Sequence, residues 1–393
     1  MSRAIGDRAA RLRTVAVSLP QQALLRDAAA VWLGPRIALI TLTFFTVVLA
    51  AYWGHRGYVG WNQWDTHWYL QIARDGYFSE RSANFFPLYP LLIAGLSFFL
   101  AGGHPATDAL RLFSALAISN LSALVAVCGV AWLVRLEGGS RSTALAAIRL
   151  LVAYPLAFFL VAGYTEPVFL ALAVLTFIAA RKGAFAWAAI PAFAAALVRP
   201  SAVILVLPLA FELARQRGWR LPRTARGWGE IVVALAAVPA GLGCYMAFLW
   251  LRFGDPLLFL HTQQRYWHHQ LLPPWSTVRL IVEHLRGNGG LLPLDISLLL
   301  LFVAGTVLLA RRLPVPYVLY MAGLLYLTIA SPQPRDHDVI MSAGRYLTAG
   351  FPVLMLAGQL VAGRSWLEMP LLATGFMLQA ALAFTFLMGG PIL

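Results

Sequence analysis

The chain has 393 residues, 60% hydrophobic and 12% charged, about half the charged fraction of a soluble domain. Its apolar runs repeatedly reach the roughly 20 residues that cross a bilayer, which excludes a soluble core and makes it an all-α polytopic membrane protein. The formal charge of +14 does not mark a nucleic-acid partner, because the basic residues gather in short connectors: RLEGGSR at 135–141, RK at 181–182, RQRGWRLPRTAR at 215–226 and RR at 311–312. That distribution is what the positive-inside bias produces.

Residues 1–35, with Arg3, Arg8, Arg11, Arg13 and Arg26, read as a cytoplasmic arm before a single membrane domain, 36–393. No cleavable signal is expected, since the first apolar run starts only near Ile37. A first span over 36–53 leads into a large outer loop, 54–108. Within it Trp61, Trp64, Trp68 and Ile72 recur at helical spacing. They predict an aromatic helix face lying in the headgroup plane, with Asp65 beside that face and Asp75-Gly76 as its stop. The segment from Phe85 to Leu100 carries two prolines in its first turns and reads as a second surface-lying or re-entrant helix.

Further spans are expected at 109–134, 143–162, 165–180, 184–199, 201–214, 229–251, 291–310, 314–330, 345–362 and 366–387, eleven in all. With the N-terminus cytoplasmic, every basic connector then falls inside, and the acidic and histidine clusters fall outside. The outer connectors are the 54–108 loop, the Gly163–Pro167 turn, the Arg199-Pro200-Ser201 turn, a long loop at 252–290, and 331–346.

Asp65 is the first candidate for chemistry. The plain reading is a solvated loop residue or helix cap. The functional reading is a general base whose partial desolvation keeps it basic enough to take a hydroxyl proton. His67 and Glu80 lie near it in sequence. Tyr164-Thr165-Glu166-Pro167 reads as a helix start with Thr165 capping and Pro167 in the first turn, Glu166 additionally either binding a sugar hydroxyl or orienting the first loop. Arg199 and Arg345 either snorkel to the interface or grip a lipid phosphate bidentately. His268 and His269 are adjacent and diverge on a helix, and no carboxylate partner is spaced for a metal. Cys128 and Cys244 have no metal spacing either. P-loop, dinucleotide and GxSxG signatures are absent.

Trp64-Asp65, Ile72-Ala73, Gly76-Tyr77 and Phe85-Phe86-Pro87-Leu88 resemble the first luminal loop of the PIG-V family, the second GPI mannosyltransferases and their bacterial relatives. Phe158-Phe159-Leu160 with Gly163-Tyr164-Thr165-Glu166, the Arg199-Pro200-Ser201 turn and Gly344-Arg345-Tyr346 with Phe351-Pro352 are similar to later signatures. The resemblance implies a GT-C-type helical bundle and an inverting glycosyltransferase. It would move mannose from a polyprenyl-phosphate donor to a glycolipid acceptor on the outer face of a bacterial plasma membrane, with no metal or other cofactor. Asp65 takes the position of the base. Arg199 and Arg345 would hold the donor phosphate. Trp64, His67, Trp68, Tyr69, Glu80, Tyr164, Glu166 and His268 would contact sugar or acceptor. Another polyprenyl-linked sugar, a protein acceptor, or a lipid or solute transporter are the alternatives; the transporter reading expects ionisable groups at the bilayer midplane.

Overall fold

The computed structural model describes residues 19–54, 60–286, 292–333, 339–340 and 342–390, all helical or irregular with no strand among them. Residues 1–18 of the expected arm, and parts of the 54–108, 252–290 and 331–346 loops, lie outside the described residues.

Four described helices are long and apolar enough to cross a membrane. They are α1 (Leu19–Tyr52), α4 (Asp108–Leu136), α9 (Ala225–Phe253) and α16 (Ser365–Leu387). α1 begins well before the expected start at 36, so residues 19–35 belong to the first helix. Its buried Arg36 donates to Asn120 Oδ1 at 3.3 Å and to the Trp32 carbonyl at 3.1 Å, tying α1 to α4.

The other expected spans are shorter helices or helices joined by 3-10 turns. α5 (Arg141–Ala153) ends before Pro155, whose ring forces Tyr154 out of the helical region (φ −55°, ψ 134°). A 3-10 turn follows at Ala157–Leu160, then α6 (Glu166–Arg181) and α7 (Phe185–Ala196). Pro200 does the same to Arg199, which is extended (φ −154°, ψ 145°) ahead of a 3-10 turn at Pro200–Leu205 and α8 (Val206–Gln216). The remaining helices are α10 (Leu258–Tyr266), α11 (Pro274–Leu285), α12 (Leu292–Leu309), α13 (Val315–Ala330), α14 (Ala343–Tyr346) and α15 (Phe351–Val361).

The core is built from α4, α5, α6, α7 and α15, rich in alanine and small β-branched residues that let the helices approach closely. α6 separates two charged clusters. At its C-terminal end Arg181 meets Glu137 at 2.6 Å and Glu212 at 2.9 Å, with Arg215 also on Glu212. Glu166 opens the same helix, roughly 22 Å away at 1.5 Å per residue. The C-terminal ends of α4, α6 and α8 therefore share one end of the bundle, and Glu166 stands at the other.

The first outer loop contains α2 (Asp65–Asp75), a 3-10 turn at Glu80–Asn84 and α3 (Leu88–Leu100). The aromatic helix expected from Trp61 onward starts four residues later. Trp64 sits at φ 50°, ψ −120°, a positive-φ conformation outside the helical region that ends the helical register ahead of Asp65. Trp61 instead turns its indole N–H to Thr43 Oγ1 at 3.1 Å. Nor does the expected aromatic face lie open to the headgroups: Ile72 is buried, as are Tyr69 and Leu70, and Trp68 stacks on Phe78 and Phe85.

Candidate active site

Asp65 is the first residue of α2, where the unpaired N–H groups of a helix start favour a negative charge. Its own N–H points to the Tyr164 hydroxyl at 3.4 Å, and the neighbouring Thr66 hydroxyl donates to the Gly163 carbonyl at 3.3 Å. The loop is thus pinned to the turn that precedes α6. That turn has no room for a side chain at position 163, where a Cβ would meet Thr66 Cγ2 at 2.8 Å. Behind it the Tyr89 hydroxyl bonds Ser119 Oγ at 2.7 Å, and Ser119 bonds the Tyr164 carbonyl at 3.2 Å.

Glu166 follows as the first residue of α6, with Pro167 in the first turn as expected. The expected Thr165 cap does not form: Thr165 is helical (φ −83°, ψ −15°) and makes no capping bond. Burial, together with the Asp65 charge, lifts the Tyr69 phenol well above its ordinary pKa. Tyr69 is therefore a neutral hydroxyl beneath the carboxylate.

Two arginines close the site, and both turn inward rather than snorkelling. Arg199 Nη1 lies 2.8 Å from Glu166 Oε1. Arg345 Nη1 lies 2.8 Å from Asp65 Oδ2, and its Nε is 3.1 Å from Glu166 Oε1 with the N–H not aligned on that oxygen. Four chain segments thereby deliver two carboxylates and two guanidiniums, a set with no net formal charge. The rings of Phe159, Tyr164 and Tyr346 stand 5.3–5.6 Å from the Arg345 guanidinium carbon, and Tyr346 is also 4.9 Å from that of Arg199, within cation–π range. The Asp65 side chain is 26% exposed against 14% for Arg345 and 2% for Glu166, so the set opens on the Asp65 side. Glu166 Oε2 is buried and accepts no hydrogen bond from the described residues.

Arg345 is held from behind. The Gly344 N–H donates to Asp295 Oδ1 at 2.7 Å, the Tyr154 hydroxyl donates to the Gly344 carbonyl at 2.8 Å, and a Cβ at Gly344 would lie 2.4 Å from Leu156 Cδ1. Asp295 was visible in the sequence as an acid in an apolar run, which is the usual mark of a functional group in a membrane helix. The aromatic box around Arg345 had no sequence signal.

The other expected contacts stand apart from the four-charge set. His67 bonds Gln71 at 2.9 Å on an exposed face. Glu80 pairs with Arg265 at 3.2 Å, and Gln263 bonds Asn84. These bonds, with Arg81 over the Tyr266 ring and Trp267 against Trp68 and Phe85, dock the 252–290 loop onto the first loop. His268 follows Trp267 at φ 54°. Trp64 is 52% exposed beside Asp65. Among the described residues no three of His, Cys, Asp or Glu gather as a metal site would require.

The sequence profile of the PIG-V mannosyltransferases matches residues 13–216, just over half the chain. The chain belongs to this family. GPI mannosyltransferase 2 of Yarrowia lipolytica is 24% identical over 220 residues, covering 54% of this chain and 59% of that protein. The chain thus matches about three-fifths of the length of that curated relative. In this PIG-V family member the matched region holds Asp65, Glu166 and Arg199, while Arg345 reaches the site from beyond it.

Proposed function

We propose that the protein is an inverting mannosyltransferase that uses a polyprenyl-phosphate mannose donor and a glycolipid hydroxyl as acceptor, with Asp65 as the base and no metal. The observation that carries this reading is the ion-pair set itself: a partly exposed carboxylate beside two guanidiniums that share a second, buried carboxylate. Guanidinium groups match phosphate oxygens bidentately and stabilise the charge that grows on a departing phosphate. Family membership supports mannose as the sugar.

In the reaction the acceptor oxygen attacks the anomeric carbon from the face opposite the phosphate, through an oxocarbenium-like transition state. A new C–O bond forms, and the bond to the phosphate oxygen breaks with its electron pair. Arg199 and Arg345 hold the polyprenyl phosphate that leaves. Asp65 takes the proton from the acceptor hydroxyl. Glu166 is read as accepting from a sugar hydroxyl through Oε2, the oxygen that no described residue hydrogen-bonds, and Trp64 as stacking on the sugar or lining the lipid boundary. The outer face is assigned to the Asp65 end of the bundle because the basic connectors lie at the other end.

The test is transfer of label from radioactive polyprenyl-phosphate mannose into membrane lipid by wild type and Asp65→Asn. Wild type should yield a labelled glycolipid, and the variant at least about 100-fold less, the usual minimum for losing a proton-transfer group. Near-wild-type transfer by Asp65→Asn would refute the assignment of the base.

A further inference from the structure

Resting on that reading, we infer that Arg345 couples donor occupancy to the base: in the empty site it masks Asp65, and the donor's phosphate draws it away and unmasks the carboxylate. An arginine offers two bidentate edges, Nη1 with Nη2 and Nε with Nη2. Here Nη1 is engaged by Asp65 at 2.8 Å, and Nε stands beside Glu166 at 3.1 Å. A phosphate gripped on either edge therefore competes with one carboxylate.

The two carboxylates are not equally held. Glu166 is 2% exposed and has Arg199 at 2.8 Å as a second cation. Asp65 lies on the exposed side of the set, and Arg345 is its ion-pair partner. A ligand arriving from outside meets the Asp65 edge first and displaces the less buried, singly paired group. The charges lead to the same result. Two guanidiniums balance Asp65 and Glu166, and a donor phosphodiester is a third anion. Asp65 then loses its cation, and the carboxylate oxygen that Arg345 held is free to accept the hydrogen bond of an acceptor hydroxyl. The groups facing it are Arg345, the Tyr164 hydroxyl at its backbone N–H, and the neutral Tyr69 beneath. An acceptor hydroxyl is thus deprotonated only where a donor is waiting, which orders the reaction with donor first.

The coupling has an unusual signature: the variant that abolishes transfer should bind the donor's phosphate more tightly. Farnesyl monophosphate and the neutral alcohol farnesol are titrated against the full chain in lipid nanodiscs. Asp65→Asn should tighten farnesyl phosphate about fivefold, equivalent to about 1 kcal/mol, leave farnesol unchanged, and lose this gain in an Arg345→Gln background. Equal or weaker binding of farnesyl phosphate by Asp65→Asn overturns the coupling. On the wild-type protein, farnesyl phosphate should speed coupling of Asp65 to glycinamide by a water-soluble carbodiimide, read by peptide mass spectrometry. An unchanged or slower rate overturns it as well. Asp65→Asn that is inactive yet binds no tighter removes the coupling alone, whereas Asp65→Asn that still transfers mannose removes the base and the coupling together.

Discussion

Glu166→Gln isolates the charge of the carboxylate that two guanidiniums share, with almost no change of shape. The Glu166 side chain is 2% exposed, and Arg199 and Arg345 stand 2.8 and 3.1 Å from its Oε1. Removing one partner of a buried ion pair costs about 3–5 kcal/mol. Two features reduce that figure here. Arg345 keeps Asp65, and Arg199 keeps the Tyr346 ring at 4.9 Å, a contact of about 0.5–2 kcal/mol. The expected loss is then about 2–3 kcal/mol. For a chain of this size that lowers the unfolding midpoint by about 4–6 °C, taking about 2 °C per kcal/mol. The assay is thermal unfolding at one heating rate in one detergent, for Glu166→Gln, Arg199→Met and the double variant. The two single losses should exceed the loss in the double variant by more than about 1.5 kcal/mol, since contacting residues couple. Additivity within about 0.5 kcal/mol would show that the pair carries no energy and refute the account of the site as one ion-pair set.

Arg345→Lys keeps the charge but places it at one point that cannot meet Asp65 and Glu166 on separate nitrogens; transfer assays should show the donor KM raised at least about tenfold, roughly the 1.4 kcal/mol of one lost charge-assisted contact. Gly163→Ala puts a Cβ 2.8 Å from Thr66 Cγ2 and 3.3 Å from Ala115 Cβ; overpacking of this kind costs about 1–3 kcal/mol, and the first loop should shift, lowering kcat more than it raises the donor KM. Asp295→Ala removes the acceptor of the Gly344 N–H and should destabilise by about 1–3 kcal/mol with a loosened Arg345, while Asp295→Asn, which keeps an acceptor oxygen, should restore most of the donor affinity. An Asn variant no better than Ala would mean that Asp295 acts through its charge and not through that bond.

The membrane-protein class and the division of charge between two ends of the bundle were legible in the sequence, and the fold brings together Asp65, Glu166, Arg199 and Arg345, four of the residues singled out there. Hydropathy and the placement of arginines are local properties, and a charged group amid apolar runs declares itself without reference to its partners. Even the extended backbone at Arg199 could be read from Pro200 alone. Helix continuity was less legible. Trp61, Trp64 and Trp68 have helical spacing, yet packing of the loop on α4 and the 163–165 turn holds Trp64 at φ 50° and starts the helix at Asp65.

The tertiary fold alone decided which charges meet. Asp65 and Arg345 are 280 positions apart, and nothing in either neighbourhood names the other. Glu80, closer to Asp65 in sequence, pairs instead with Arg265. A buried charge must find its complement wherever the helices bring one, so the long-range pairs follow from packing, and Glu166 becomes the centre of the site because α6 starts where both arginines arrive.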